Sequence, residues 1–326
     1  MSKLVTIYGG SGFVGRYIAR RMAKDGWRVR VATRVPDENL YVRTYGEVGQ
    51  VEPVACNIRD EASVEAAMLG ADAVINCVGI LAAFRKNSFD SVHVEGAERV
   101  ARLAAAAGIE KMVHISAIGA DAQAEAEYSR TKAAGEAAVL RHVPNAVILR
   151  PSVVFGPEDN FFNRFASMSR FGPVLNIIGA DTKFQPVYVD DVAKAAVAGV
   201  TDAAPGIYEL GGPDVASFRD WMRLMLRIVR RDGKLIYDMP KGIANLMAGT
   251  FGVIQKISFG NIDAPLTRDQ IKNLAHDNVV SDGAQGFAEL GIEPIAAGSV
   301  LPEYLWRYRP TGQFETLKES ADNLKV

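Results

Sequence analysis

The chain has 326 residues and a formal net charge of −1 at pH 7, so it carries no global field that would recruit nucleic acid. Its composition, 48% hydrophobic and 23% charged, is that of a soluble globular protein able to bury one large α/β domain or one domain plus a smaller lobe. It contains no internal repeat or low-complexity tract, and its two cysteines, Cys56 and Cys77, have no metal-ligand spacing and suit small buried hydrophobes better than a disulfide scaffold.

Leu4–Tyr8 is a short apolar, β-branched run that predicts a buried strand. A strand beginning this early leaves no room for a signal or transit peptide ahead of it. Gly9-Gly10-Ser11-Gly12-Phe13-Val14-Gly15 comes next, and Val14, Ile18, Ala19 and Met22 recur at helical spacing, so a helix begins inside the loop. Strand, glycine turn and helix in this order form a cradle for a dinucleotide pyrophosphate. Gly9 permits the turn, Gly12 lets backbone approach the phosphates, and Gly15 lets the helix pack closely. The free N–H groups and the positive end of the helix dipole face the anion. Ser11, Phe13 and Val14 complete the loop. The spacing is G-x-x-G-x-x-G rather than G-x-G-x-x-G.

The second strand, Arg28-Val29-Arg30-Val31-Ala32-Thr33-Arg34, ends where an acid would grip the ribose 2′-hydroxyl of NAD, and there is no acid at 32–34. A carboxylate there would repel a 2′-phosphate, whereas Arg34 would pair with it, which favours NADP(H). The plainer alternative is a solvated arginine at a strand end.

Residues 35–50 are polar and irregular. Strands are predicted at Val51–Ala55, Ala73–Asn76, Lys111–Ile115 and 146–149, and helices at 60–69, 89–107 and 124–141, with Gly70 and Gly108 as stop signals. This alternation implies right-handed βαβ crossovers, a doubly wound parallel sheet, and a ligand at the carboxyl ends of the strands. Polar and glycine residues cluster at those ends: Asn57 and Asp60, then Asn76-Cys77-Val78-Gly79, Ser116, and Arg150-Pro151-Ser152; Ile58 joins Asn57, Val78, Gly79 and Pro151 as a candidate cofactor contact.

Tyr128 and Lys132 lie four apart on one face of a predicted helix. An ammonium beside a phenol favours the phenolate, lowering a pKa near 10. Tyr128 would then exchange a proton with a substrate oxygen held by Ser116, and Lys132 would also bond the nicotinamide ribose.

Taken with Pro186-Val187-Tyr188-Val189-Asp190-Asp191-Val192-Ala193, these residues resemble an extended or atypical short-chain dehydrogenase/reductase over residues 1–215. The resemblance implies a seven-stranded Rossmann sheet with a small C-terminal lobe. It matches Ser116, Tyr128 and Lys132 to the catalytic trio, and matches Gly9, Gly12, Gly15 and Arg34 to cofactor contacts. The stretches 155–173, 183–192 and 265–270 are similar to one branch, the accessory subunit of respiratory complex I. That branch implies a tightly held structural NADPH, with Ser116, Tyr128 and Lys132 as ribose and nicotinamide contacts. It also implies complex I subunits as partners near the quinone end of the arm junction, on the cytoplasmic face of a bacterial inner membrane. Where extended enzymes carry Asn in N-V-x-G, this chain has His93-Val94-Glu95-Gly96, and a histidine could still relay protons. The alternative function is a free NADP-dependent oxidoreductase or epimerase acting on a nucleotide sugar or sterol-like alcohol.

Residues 216–326 predict a helical lobe and an extended, partner-docking tail. Phe218, Trp221, Met222, Met225, Ile228 and Val229 share one face of a helix whose other face carries Arg219, Arg223, Arg227 and Arg230. That stripe suits a solvated face, or contact with an acidic partner or anionic lipid. Residues 243–259, with Lys256 as their one charge, suit a partner groove, a membrane surface or the wall of a substrate pocket. The aromatic and arginine residues from Trp306 to Phe314 suit docking against a partner, or a disordered end with a few anchors.

Overall fold

The computed structural model describes residues 2–83, 86–240, 242–244, 267–310 and 312. Its strands are β1 (Leu4–Tyr8), β2 (Arg28–Thr33), β3 (Val51–Ala55), β4 (Ala73–Asn76), β5 (Lys111–Ile115), β6 (Val147–Pro151), β7 (Val154–Phe155), β8 (Val174–Ile177), β9 (Lys183–Phe184), β10 (Val187–Tyr188), β11 (Gly206–Leu210), β12 (Ala216–Ser217) and β13 (Leu235–Asp238). The α-helices are α1 (Phe13–Lys24), α2 (Glu61–Met68), α3 (Glu95–Ala106), α4 (Glu127–His142), α5 (Phe162–Met168), α6 (Val189–Thr201), α7 (Phe218–Ile228), α8 (Arg268–Asn273) and α9 (Ala297–Leu305).

Seven strands form one parallel sheet in the order β11-β6-β5-β4-β1-β2-β3. The order reverses between β1 and β4, so the crevice that receives a ligand in such sheets opens at the ends of these two strands, beside Gly9 and Gly79. The central strands β1 and β4 are buried along their whole length because helices cover both faces of the sheet. Val5, Ile7, Val113 and Leu149 pack towards α1 and α6, while Val74, Met112 and Ile148 pack towards α3 and α4. Pro53 is tolerated in β3 because that strand is an edge and its missing N–H breaks no ladder. Gly70 and Gly108, with φ of 71° and 69°, end the helical segments before them as the sequence predicts.

Two segments differ from expectation. Residues 35–50 are not wholly irregular: Pro36–Tyr45 forms 3-10 turns broken at Asn39. Asn39 donates to the Thr33 hydroxyl and the Val35 carbonyl, and that anchors the turn to the end of β2. The helix expected over 89–107 is not uniform, because Asp90–Val94 is a π turn and α3 starts only at Glu95. A Cβ at Gly135 would lie 2.2 Å from the His93 carbonyl, so the widened turn presses directly on α4.

A third core joins segments distant in sequence. Phe155, Phe162, Leu175 and Phe184 pack with Phe218, Trp221 and Met222, and with Leu301 and Tyr304 of α9. The apolar face of α7 is buried as its spacing predicts, and Arg223, Arg227 and Arg230 are exposed. Among the described residues no helix is long and apolar enough to cross a membrane. Most of the 243–259 stretch lies outside the described residues, as do 313–326. Within the described part of the tail, the arginines turn back onto their own chain. Arg307 donates to the Pro157 carbonyl and the Asn163 side chain at 2.8 and 2.7 Å, and Arg309 donates to the Ile228 carbonyl at 3.0 Å.

Candidate cofactor site

Gly9 ends β1 with a φ of 73°, the left-handed turn that favours glycine. A Cβ on Gly15 would lie 2.3 Å from the Gly9 carbonyl oxygen and 2.7 Å from Gly10 Cα, so α1 starts against the backbone of the loop itself. Gly12 is the N-cap; it is exposed, and no side chain caps the helix. The first-turn N–H groups of Phe13, Val14 and Gly15 are therefore left for an anion, with no acid in that turn to compete. Ser11 donates its hydroxyl to Thr33 at 3.1 Å, which ties the loop to the end of β2, where Arg34 is exposed.

Two residues around this loop carry no sequence signal. Arg16 donates to the carbonyls of Gly12 and Ser11 at 3.3 and 3.2 Å and faces the Tyr41 ring at 5.3 Å. Tyr41 donates to the Ser11 carbonyl at 2.8 Å. Arg16 resembles any outward arginine of an amphipathic helix, and Tyr41 lies in a stretch without periodicity.

Beyond β3, Asn57 accepts the Arg59 N–H through its side chain. Ile58 is buried against Gly96, where a Cβ would lie 3.1 Å from it. Val78 and Gly79 follow β4, and the Asn76 side chain accepts the Val78 N–H at 3.1 Å. A Cβ on Gly79 would stand 3.5 Å from the Lys132 ammonium, so a bare backbone faces the lysine there. Pro151 ends β6 and is buried.

Ser116, Tyr128 and Lys132 gather at the ends of β5 and α4. Lys132 donates to the Ile115 carbonyl at 2.9 Å, and burial lowers its pKa to about 8. Tyr128 lies edge-on to Phe89 and His93, with ring centroids 6.1 and 5.4 Å away. Burial pushes its phenol up to about 12. This corrects the expectation that Lys132 lowers the tyrosine: desolvation governs the phenol, and the lysine is turned to a main-chain carbonyl. The hydroxyl of Ser116 is buried with no hydrogen-bond partner among the described residues. A buried hydroxyl left without a partner at the end of β5 fits a group that bonds a bound molecule.

His93 is not placed to relay protons. Its Nε2 accepts the Ile80 N–H at 3.0 Å, so its proton sits on Nδ1, facing the Thr131 hydroxyl at 3.1 Å. Burial lowers its pKa to about 3, with the Lys132 charge acting in the same direction. His114 is likewise held near 3 by burial, with Nδ1 beside the Asn76 amide at 3.2 Å. No group of three or more metal-ligating side chains occurs among the described residues.

Residues 5–211 match the model of the NAD dependent epimerase/dehydratase family. The chain belongs to this family. Over 318 residues it is 35% identical to the NADH dehydrogenase (ubiquinone) 1 alpha subcomplex subunit 9, mitochondrial, of Arabidopsis thaliana, covering 95% of this chain and 79% of that protein. It is 29% identical over 244 residues to a ceramide reductase of Caulobacter vibrioides, covering 75% of this chain and 70% of that one. A solved structure of UDP-glucose 4-epimerase from Thermotoga maritima shares the family fold, with a TM-score of 0.69 at 17% identity over 94% of this chain and 99% of that one.

Proposed function

We propose that the chain is a non-catalytic, NADPH-binding accessory subunit of a proton-pumping NADH:ubiquinone oxidoreductase, and that it stabilises the junction of the hydrophilic and membrane arms. The observation that carries this reading is the similarity to the Arabidopsis subunit over 95% of the chain, which includes the third beyond the dinucleotide-binding domain. Its place would be peripheral, on the cytoplasmic face of a bacterial inner membrane, among the subunits at the quinone end.

NADPH would lie along the carboxyl ends of β1, β2 and β4. The uncapped start of α1 would hold the pyrophosphate and Arg34 the 2′-phosphate. Asn57 and Ile58 would border the adenine half; Val78, Gly79, Ser116, Tyr128, Lys132 and Pro151 would border the ribose and nicotinamide. The nicotinamide would supply hydride chemistry when bound. The locked His93 supports a chain that uses the cofactor as a brace. A ligand that binds only the folded state adds ~4 kcal/mol of stability at a thousandfold excess over Kd.

Gentle detergent extraction of native membranes, a native gel and mass spectrometry of the band test the assignment. Comigration with the flavin, iron–sulfur and quinone-site subunits is the expected result; a small soluble homo-oligomer would overturn it.

A second reading, a free NADP-dependent oxidoreductase, is favoured by the Ser116 hydroxyl, unpartnered among the described residues, and by the likeness to the ceramide reductase. NADPH oxidation by the purified chain over a panel of ketones and sugar nucleotides would establish it.

A further inference from the structure

Among the described residues, the C-terminal lobe presents an exposed apolar face. β8 and β13 form a parallel two-stranded ribbon with Val174 beside Leu235 and Asn176 beside Tyr237. Strand alternation sends Leu175 and Ile177 into the lobe core and leaves Val174, Leu235 and Tyr237 outside. Phe171 stands in the turn just before β8. The Leu235 N–H donates to the Pro173 carbonyl at 3.1 Å and the Lys234 ammonium to the Gly172 carbonyl, so the turn that carries Phe171 lies against the start of β13. Phe171 is 74% exposed, Leu235 70% and Tyr237 51%. Single exposed hydrophobics are ordinary on a protein surface, but a contiguous aromatic and aliphatic set on one ribbon marks a site of interaction.

Charge surrounds this face. Arg170 is exposed beside Phe171. Arg219, on the face of α7 that also carries the exposed Arg223 and Arg227, donates to the Ile236 carbonyl of β13 at 3.5 Å. Of the acids nearby, Asp220 is held by Arg223 at 2.9 Å and Asp238 accepts the Gly179 N–H, while Asp232 is exposed; the cations outnumber them.

We propose that this ribbon is the surface by which the chain docks onto a neighbouring subunit of the NADH:ubiquinone oxidoreductase, one whose facing surface is apolar at its centre and rimmed by carboxylates. The proposal rests on the accessory-subunit reading. An apolar, aromatic centre with arginines around it is the anatomy of a protein interface. A border of mixed sign, with Asp232 and Asp238 among the arginines, suits a protein surface that can match both signs better than it suits a uniformly anionic bilayer. A second copy would set like charges against each other across a two-fold axis.

The test is native-gel comigration of the full chain, expressed in its host, with the assembled complex. Phe171→Ser with Leu235→Ser should move at least tenfold more of the chain into the free pool, with unchanged melting temperature and NADPH affinity. Arg170→Glu with Arg227→Glu should release it too. Leu69→Ser, at a site equally exposed but far away at the end of α2, should stay assembled. Retention of the double serine variant in the complex would overturn the proposal. So would a loss of vesicle binding, on phosphatidylglycerol-containing liposomes, that accounts for the release, or a patch-dependent homodimer in sedimentation. If the wild type never comigrates, the accessory-subunit reading fails and the proposed partner falls with it.

Discussion

The carboxylate of Asp269 accepts the backbone N–H of Tyr128 at 3.1 Å, and that of Glu127 at 2.7 Å. It thereby caps α4, whose own N-cap residue, Ala126, supplies no side-chain bond. Asp269 is itself fixed at the start of α8, where Thr267 and Gln270 form a capping box. Asp269→Ala is expected to cost about 1 kcal/mol in urea denaturation, and to speed amide exchange at Glu127 and Tyr128.

A methyl group at Gly15 would collide with main-chain atoms of Gly9 and Gly10, which cannot rotate away. Gly15→Ala is expected to displace α1 from the loop. It should lower stability by about 1–3 kcal/mol and weaken NADPH binding at least tenfold, as read by thermal unfolding and fluorescence titration.

Arg34 is exposed at the end of β2, with no acid at 32–34. Arg34→Glu should reverse the preference between NADPH and NADH, changing the ratio of the two dissociation constants by a factor of about ten or more. An unchanged ratio would remove Arg34 from the 2′-phosphate.

His93 and His114 are both held near 3, below their unfolded value of about 6.5. A lowered folded-state value means the unfolded chain binds more protons between the two. Their contribution to stability is therefore complete above pH 6.5 and is lost as pH falls from there towards 3. The slope should be on the order of 1 kcal/mol per pH unit for each histidine. In a pH series of urea midpoints, His93→Gln, whose side-chain amide oxygen reaches the place of Nε2 and keeps an acceptor for Ile80, should flatten the slope by about one proton.

Tyr128→Phe removes a phenol that burial already holds near 12. Bound NADPH should remain after purification of this variant, with its yield in the assembled complex unchanged. A ketone reduction present in the wild type and abolished in Tyr128→Phe would decide for the enzyme reading instead.

Much of the sheet was legible because its signals are local. The apolar runs at Val51–Ala55, Ala73–Asn76 and Lys111–Ile115, and the glycines at 70 and 108, act through neighbouring sterics and period, and each stands where the pattern put it. The turns of Pro36–Tyr45 were not legible, because they are held by Thr33 and Ser11 rather than by a period of their own.

The sequence alone determined the parallel α/β sheet, the strand, glycine turn and helix at its start, and the motif spacing that sets Tyr128 and Lys132 on one helix. Chain closure decided what that motif can do. Phe89 and His93 cover Tyr128, Ile115 takes the Lys132 ammonium, and Asp269 comes from 142 residues beyond Glu127 to cap the helix that carries them. Spacing fixes which residues share a face, whereas desolvation and hydrogen-bond partners depend on what other parts of the chain bring against that face.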